Sequence, residues 1–402
     1  MFNMHRYFIN LGGIKRLVVV ALCLIAILGY FVNRHKDSIP SSKVTTIAVL
    51  PLTGDKHKDF VEGGNPERSL VSYMRCNMGD WDTLGSTAVG GNETVYSLLY
   101  NRVVLIKPMR ASARTVEHKW PLSLCMVKHG ANHDLWYLGD DGRDNQILIR
   151  GLDDGSQIWA LPLLAPLTSQ PIPRPVANKK APAWRELIGD IYSSAIGDVY
   201  LFSGGQYIQR ISRNGELLNE YKIKTPPTSD KGHFASSAAV SRNGDVYGQQ
   251  WVIASDADNE YTALLDCWSS KGGYSSRRID LTGLGRVFQA RLVAADDKGA
   301  LYFEYKYGRH TFDGPSPDAI AMVPPRSNAA HRIFDFGDHY GAQLSAARAR
   351  TLPTRMSIRR VGDVIGISPT GDLYVDVCDG VNYRVDKISF PPQPPKPWWR
   401  VW

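Results

Sequence analysis

The feature that most constrains the fold of this 402-residue chain is a short turn that recurs along it, each time followed by a strand-forming pair. The clearest copy is Ser-Arg-Asn-Gly-Asp-Val-Tyr at 241–247. Gly or Asn tolerates the positive φ that a two-residue hairpin turn requires, and an aliphatic residue followed by an aromatic one suits a pleated, half-buried surface. Each copy therefore predicts a tight turn that leads into the second strand of a repeated unit. The other copies are 196–200, 298–302 and 370–374, with weaker ones at 92–96 and 132–136.

The spacing of these copies indicates a ring of repeated sheets. Measured between the aromatic residues at positions 96, 136, 200, 247, 302 and 374, the intervals are 40, 64, 47, 55 and 72 residues. A four-stranded propeller blade takes about 40–50 residues, so the shortest interval accommodates one blade and the longer intervals require insertions. Six copies predict an all-β fold, a six-bladed β-propeller. A coincidental set of common hairpins in another all-β arrangement is the alternative.

A strand near the amino-terminal end is predicted to close this ring. Residues 44–50 form a strand pattern without a hairpin partner next to it in the sequence. The last repeat, residues 362–390, supplies only three predicted strands, at about 363–367, 372–377 and 382–389. A strand from the other end of the chain would complete that sheet and leave no open edge.

The third repeat carries a family resemblance. Residues 197–218 read Gly-Asp-Val-Tyr-Leu-Phe-Ser-Gly-Gly-Gln-Tyr-Ile-Gln-Arg-Ile-Ser-Arg-Asn-Gly-Glu-Leu-Leu and resemble an NHL-type repeat. The likeness is good over this repeat, partial over the three that follow and faint over the first two. NHL proteins and the related gluconolactonase and regucalcin group form six-bladed propellers, so the resemblance implies that fold. It leaves the function open, because these proteins include both binding platforms and hydrolases.

The amino-terminal end predicts a membrane anchor. Residues 17–32 are uncharged and mostly aliphatic, and Lys15, Arg16 and Arg34 flank them. The run is slightly shorter than a bilayer core, but flanking cations can snorkel and Tyr30 suits the interface. A cleaved signal peptide is the alternative, although no small-residue cleavage motif follows the run.

These observations predict five segments and a location. Cations lie on both sides of the span, so the positive-inside rule discriminates weakly. A short basic tail usually stays in the cytoplasm, which makes this a single-pass inner-membrane protein with its large domain in the periplasm if the source is bacterial. The lipid bilayer is then the first expected partner. The segments are a basic tail at 1–16, a transmembrane signal anchor at 17–33, a linker at 34–43, the propeller at 44–390 and a Pro/Trp-rich tail at 391–402.

The net charge of +8 does not indicate nucleic-acid binding. Residues 1–36 contain five cationic side chains and no acidic one, which leaves +3 for the rest of the chain. A nucleic-acid-binding domain concentrates positive charge on its folded surface. No nucleic-acid partner is therefore expected.

No stretch predicts a catalytic centre, a cofactor or a metal site. The acidic segments 140–145 and 256–260 offer the oxygen ligands that calcium prefers, but neither has EF-hand spacing and both fit exposed hairpin loops. His129 and His133 have a zinc-compatible spacing only on a helix, whereas a strand turn is predicted there. Residues 366–370 lack the second glycine of a nucleophile elbow and are interpreted as a turn.

Four cysteines lie outside the predicted span, and no two of them form a Cys-x-x-Cys pair. This spacing supports neither a zinc site nor a redox motif. Two disulfides would be compatible with an oxidising compartment, while Cys267 and Cys378 lie in apolar strand patterns that fit buried free thiols at least as well. The oxidation state therefore stays open for Cys76, Cys125, Cys267 and Cys378.

Two segments predict contact with a protein partner or with lipid. Five arginines within thirteen residues, without an acid among them, suit anionic headgroups or an acidic protein; a solvated face is the alternative. The tail at 391–402 has prolines that favour a polyproline helix and ends in aromatic residues. Those aromatics suit docking on the propeller, the membrane interface or another protein. The candidate contact residues are Arg348, Arg350, Arg355, Arg359, Arg360, Trp398, Trp399, Arg400 and Trp402.

Together these features predict a membrane-anchored, extracytoplasmic propeller that acts as a protein- or ligand-binding platform, since loops on a rigid ring suit recognition. One alternative is a metal-dependent hydrolase of the gluconolactonase kind. The resemblance implies that such an enzyme holds a divalent metal in its central channel, but no position of this sequence can be matched to those ligands. A cell-envelope assembly factor whose tail carries the contact is the other alternative.

Overall fold

The described part of the chain consists almost entirely of antiparallel β-strands. The structure is a computed structural model. It describes residues 42–51, 87–99, 102–106, 114–117, 123–140, 146–152, 156–163, 188–203, 207–224, 232–233, 237–255, 260–285, 287–307, 318–340, 363–378 and 382–390. Within these ranges there are twenty-five strands, a 3-10 turn at Thr282–Leu284 and a helical segment at 336–340.

These strands form six sheets, and five of the sheets use strands that are consecutive in the sequence. The first three sheets are β2 (Thr87–Val89), β3 (Val95–Leu99), β4 (Arg102–Ile106) and β5 (Arg114–Glu117); β6 (Ser123–His129), β7 (Asp134–Asp140), β8 (Gln146–Leu152) and β9 (Gln157–Pro162); and β10 (Ile188–Ser193), β11 (Val199–Ser203), β12 (Tyr207–Ile211) and β13 (Leu217–Lys222). The fourth sheet has β14 (Gly232–His233) and β15 (Ser237–Val240), both paired with β16 (Val246–Ser255), followed by β17 (Glu260–Trp268) and β18 (Tyr274–Asp280). The last two are β19 (Val287–Ala295), β20 (Leu301–Tyr307), β21 (Ala319–Val323) and β22 (His331–Asp335); and β23 (Asp363–Ile367), β24 (Leu373–Cys378), β25 (Asn382–Ser389) and β1 (Lys43–Pro51).

The inner strands of the sheets follow one another around a ring. Contacts join β2 to β6, β6 to β10, β10 to β15, β15 to β19, β19 to β23, and β23 back to β2. Each sheet therefore presents an inner strand to the centre of the ring and an outer strand to its periphery. This arrangement is a β-propeller.

Burial changes from the second strand of a sheet to the fourth. In the third sheet every residue of β11 is buried, β12 is partly covered and most of β13 is accessible to solvent. This second strand is covered on both faces by neighbouring sheets, so four of its five side chains are apolar without alternation. The aromatic residue of the repeated motif lies on this strand, and in each of the six copies it is at most 8 % exposed.

The repeated motif has the same place in all six sheets. Its aliphatic residue is the first residue of β3, β11, β16, β20 and β24, and the second residue of β7. The prediction that each copy leads into a second strand is confirmed.

Strand β1 completes the sixth sheet. It pairs antiparallel with β25, from Lys43 opposite Ser389 to Pro51 opposite Asn382. The predicted closure is therefore confirmed: strands from the two ends of the described chain meet in one sheet, and β1 covers the backbone edge of β25.

A buried carboxylate holds the closing strand in register. Asp386 on β25 is 1 % exposed and accepts hydrogen bonds from Thr46 Oγ1 at 2.7 Å, Tyr340 Oη at 2.9 Å and Arg384 Nε at 3.0 Å. Burial and the neighbouring carboxylate raise the pKa of Tyr340, so its hydroxyl stays protonated and donates. A buried carboxylate needs such donors, and these three come from β1, the helical segment and β25.

No helix within the described ranges is long and apolar enough to cross a membrane. The predicted basic tail at 1–16 and the predicted anchor at 17–33 lie outside the described residues.

Replacing Thr46 with Val keeps the shape of the side chain and removes one donor to Asp386. We expect Thr46→Val to lower the free energy of unfolding by about 1–3 kcal/mol, because a buried acceptor loses a partner. The measurement is urea unfolding of the full-length protein. Thr45→Val is the matched control, since Thr45 is exposed on the same strand and should change stability by no more than about 0.5 kcal/mol. Equal effects of the two substitutions would contradict the observed docking of β1.

Candidate functional site

Six similar turns connect the first and second strands of the sheets. In the third sheet, Ser194 N–H donates to Asp198 O at 3.0 Å, and Gly197 N–H donates to Ser194 O at 3.2 Å. This pattern encloses three residues, so the prediction of a two-residue turn was wrong for this copy and for the four others that share the pattern, at 90–94, 241–245, 296–300 and 368–372. Gly197 has a φ of 95°, the left-handed position that follows a type I turn in a three-residue hairpin loop. The extra residue matches the turn to the twist of the strands.

The six turns together are called the turn ring: residues 90–94, 130–134, 194–198, 241–245, 296–300 and 368–372. In the first turn the left-handed position is held by Glu93, with a φ of 60°. The second turn differs: Asp134 N–H donates to Ala131 O at 3.0 Å, and both residues between them, Asn132 and His133, have positive φ values of 54° and 64°. Non-glycine residues adopt this conformation only when the surrounding structure imposes it. Five of the turns thus share one geometry, and the second is a variant of it.

The first residue of a turn caps it with a side-chain acceptor in three copies. Ser241 Oγ accepts from Asp245 N–H at 3.1 Å, and Asp296 Oδ1 accepts from Ala300 N–H at 2.7 Å. Ser368 Oγ accepts from the N–H of residue 372 at 3.0 Å. Ser368 therefore lies in a turn, as predicted, and its hydroxyl stabilises that turn.

Neighbouring turns are hydrogen-bonded to one another. Ala195 N–H donates to Arg242 O at 2.7 Å, and Asn243 N–H donates to Asp297 Oδ1 at 3.2 Å. These contacts join the third sheet to the fourth and the fourth to the fifth. Beside them, the side chain of Ile196 is 56 % exposed. The turn ring is thus a rigid frame that presents an apolar side chain to solvent.

A buried ionic group joins the second and third sheets at the same ring. Asp134 is fully buried; its Oδ1 accepts from Arg150 at 2.8 Å and its Oδ2 from Arg213 Nε at 2.7 Å. Arg150 belongs to β8 of the same sheet, whereas Arg213 lies between β12 and β13 of the next one. Two charge-assisted bonds to one carboxylate fix the relative position of the two sheets.

The ring encloses a cavity of about 820 Å³, which we call the axial channel. Side chains and backbone from all six sheets line it, chiefly from the inner strands and the turn ring. The charged and histidine residues in its lining are Lys128, His129, His133, Asp190, Arg242, Arg291 and Asp376.

Three charged side chains of alternating sign, Lys128, Asp190 and Arg291, lie in a row in this channel. Lys128 Nζ lies 3.9 Å from Asp190 Oδ1, and Arg291 lies 4.0 Å from Asp190 Oδ2. Tyr192 also hydrogen-bonds the Asp190 carboxylate; burial and that carboxylate raise the pKa of Tyr192 well above its usual value, so the hydroxyl is a permanent donor. The four residues come from β6, β10 and β19, which are inner strands of the second, third and fifth sheets.

The two histidines of the lining lie at the end of β6 and in the turn that follows it. The His129 ring stacks on Tyr96, with the ring centroids 5.4 Å apart, and its backbone carbonyl accepts from Ser193 Oγ at 2.6 Å. His133 sits in a turn. Within the described ranges, no three His, Cys, Asp or Glu side chains are grouped as a metal site would require.

All nine residues singled out in the sequence as contact candidates fall outside the described ranges. These are the arginine cluster (348–360) and the tail (391–402). The same holds for most of both acidic segments, where Asp140 ends β7 and Glu260 begins β17. Cys267 is a buried free thiol, and burial raises its pKa to about 11. Of the two alternatives left open for Cys267, a disulfide or a buried free thiol, the structure has the free thiol.

Four of the channel residues, Lys128, Asp190, Tyr192 and Arg291, were missed in the sequence because they belong to no motif. Each is a polar residue within a mostly apolar strand that precedes a turn. Lys128 and Tyr192 both stand two positions before the first residue of a turn. Alternate residues of a strand share one face, so counting back from the turns would have placed these side chains towards the ring centre.

Comparison with known proteins assigns the chain to no family. No protein-family model matches the chain, and no curated protein matches it at a significant level, so the NHL-type resemblance has no support from a family match. Among solved structures, virginiamycin B lyase from Staphylococcus aureus is 11% identical over 87% of this chain and 100% of its own, with a TM-score of 0.39. The propeller domain of Cps50 (Swd1) from Myceliophteria thermophila is 9% identical over 76% of this chain and 83% of its own, with a TM-score of 0.38. YCF48 bound to D1 peptide is 11% identical over 76% and 92%, with a TM-score of 0.35. The sheet topology of the chain identifies it as a β-propeller. The similarities to solved structures assign it no activity.

Alanine at a turn-ring glycine should be more costly than alanine at a glycine of the same conformation elsewhere. Gly244 has a φ of 84°, and an added Cβ would lie 2.8 Å from the buried Tyr200 hydroxyl. We expect Gly244→Ala to combine about 1–3 kcal/mol of backbone strain with a further loss from overpacking.

Gly272→Ala is the matched control, because its φ is 93° and nothing lies within 4 Å of an added Cβ. The measurement is the pair of urea-unfolding midpoints. If the two variants had the same midpoint, the close contact between neighbouring sheets at the turn ring would not be a source of stability.

Proposed function

We propose that this protein is a membrane-anchored, extracytoplasmic binding platform, in which each of the six sheets is one blade of a six-bladed propeller. The single observation that carries the proposal is the turn ring: five loops of one geometry and a variant in the second sheet, around the mouth of a channel of about 820 Å³. Hydrogen bonds join the turns of the third, fourth and fifth sheets. Loops positioned by a rigid scaffold are where recognition residues concentrate.

The turn ring offers a partner both apolar and polar contacts. Ile196 is the most exposed large apolar side chain among the described residues, at 56 %. Asn243 and Asp297 beside it present polar groups already held in place by their mutual hydrogen bonds. An exposed apolar anchor surrounded by preorganised polar groups is the composition of a binding hot spot.

The hydrolase alternative has less support than binding. A metal-dependent hydrolase needs several oxygen or nitrogen ligands at one point, and no three His, Cys, Asp or Glu side chains of the described residues are grouped in this way. The arginine cluster (348–360) and the tail (391–402) stay in the proposal as further contact segments, for a protein partner or for anionic lipid. If the tail carries the contact with the partner, the protein acts as a cell-envelope assembly factor.

Recovery of a partner tests the recognition surface. We expect Ile196→Asp to abolish most recovery of cross-linked partners with the full-length protein from its native membrane, because a charge replaces the apolar anchor at the turn ring. Ile158→Asp is the matched control: Ile158 is 45 % exposed but lies on β9, an outer strand. Deletion of 391–402 forms a third arm.

The outcomes separate the surfaces. Loss of recovery with Ile158→Asp alone would move the recognition surface to the periphery of the ring. Loss with the tail deletion alone would favour the assembly-factor form. Unchanged recovery in all three variants would contradict the proposal.

Membrane anchoring is tested separately. We expect the full chain, expressed in a bacterial host, to stay in the membrane pellet after alkaline carbonate extraction and to be cleaved by protease added to spheroplasts. Deletion of residues 17–33 should move it to the supernatant, because the sixteen-residue apolar run is lost. A protein lacking 391–402 serves as the control and should still pellet. Full-length protein in the supernatant would exclude an integral anchor.

A further inference from the structure

We propose that the outer edge of β1 (Lys43–Pro51) pairs antiparallel with β1 of a second copy of this chain, so that the protein is a two-fold symmetric dimer. The inference goes beyond the proposed function, because it concerns the periphery of the propeller and not the turn ring. It is carried by the length of β1, its low charge and its exposed side chains.

Strand β1 is the outer strand of the sixth sheet. Among the described strands only β25 pairs with it, so no described strand lies beside its other edge. Val49 on this strand is 52 % exposed, and Lys43, Thr45 and Thr46 are exposed as well. The edge of an outer strand presents backbone N–H and C=O groups, and the partner that satisfies them best is another extended strand.

The other five outer strands are protected against such pairing in ways that β1 is not. Strands β5, β9, β13, β18 and β22 have four to seven residues, whereas β1 has nine. Four of the five carry two or three charged residues each, and β9 carries none but is a third shorter than β1. Short length and charge are the usual means by which proteins keep an edge from pairing. The single charge of β1 is Lys43, at its first residue.

The sequence of β1 suits pairing with a second copy of itself. A two-fold axis at Ile47 places Thr45 of each copy opposite Val49 of the other. Both are exposed β-branched residues, which favour cross-strand pairs. The same axis places Lys43 opposite Pro51, so no two like charges face each other. The register shift of β1, next to Ile47, lies at the axis, so the regular segments on either side of it remain available for pairing.

This pairing would supply about as many hydrogen bonds as a typical protein interface, and it stops at two copies. Antiparallel strands exchange about one hydrogen bond per residue pair, so β1 would contribute about eight. A typical interface contains roughly 5–15 direct hydrogen bonds. Because both copies use the same edge, the contact is isologous and closed. None of the other five outer strands offers a third copy an edge as long as this one.

Size-exclusion chromatography with light scattering, on the full-length protein in detergent over a series of concentrations, tests the inference. We expect a protein mass of twice the 44.7 kDa of one chain. The double substitution Thr45→Lys/Val49→Lys places lysines opposite lysines in both cross-strand pairs, and it should raise the dissociation constant of the dimer by more than about tenfold. The double substitution Thr45→Glu/Val49→Lys places opposite charges at the same positions, and it should keep the dissociation constant within about threefold of the wild-type value.

The two double variants are matched, because they change the same two exposed side chains and differ only in the sign of one charge. Ile158→Lys is the control for the other uncharged outer strand: Ile158 lies on β9 and is 45 % exposed, and its substitution should leave the mass unchanged. Thermal melting of each variant verifies that it is folded.

Several results would overturn the inference. A monomer at every concentration would do so, and so would a dimer that both double variants leave intact, because the contact would then lie outside β1. Equal weakening by the two double variants would show that β1 does not face a second β1 in this register. Dissociation by Ile158→Lys alone would move the contact to β9.

Discussion

The antiparallel pairing of β1 with β25 is the interaction on which the rest of the structure depends. Five sheets are built from consecutive strands, and each can form by local hairpins, but the sixth lacks a fourth strand until Lys43–Pro51 joins it. That pairing brings the ends of the described chain together and covers an edge that would otherwise be free to pair with another molecule. Asp386, fully buried beneath Thr46, then makes the register specific. A slip by one residue would remove the Thr46 donor from this carboxylate and turn Ala48, the buried residue among the described side chains of β1, outward.

Ionic contacts join neighbouring sheets, as the pairing of β1 with β25 joins the two ends of the described chain. Asp134 accepts from Arg150 in its own sheet and from Arg213 in the next. Where the sixth sheet meets the first, Lys387 lies 2.7 Å from Glu93 and 3.2 Å from Asp372, and these carboxylates raise the pKa of Lys387 so that it stays charged. These groups sit at the turn ring, which keeps the loops rigid where a partner would meet them.

Ion pairs in the axial channel are longer than those that join the sheets. Asp134 and Glu93 meet their cations at 2.7–2.8 Å, whereas Lys128 and Arg291 lie 3.9 and 4.0 Å from Asp190. A second carboxylate, Asp376, is buried in the same lining. Ion pairs at hydrogen-bonding distance are the stronger ones, and here they connect neighbouring sheets.

The sequence by itself determined the β-propeller class, the start of each second strand and the role of residues 44–50 as a closing strand. These properties follow from local patterns: a turn needs particular residues at particular positions, and a strand covered on both faces must be apolar. The turn length was missed by one residue, because a left-handed glycine serves both two- and three-residue loops. Only the tertiary structure decided that Lys128, Asp190 and Arg291 meet, since they come from three different sheets and form no motif. The ring geometry brings inner strands together regardless of their separation along the chain, and no local pattern carries that information.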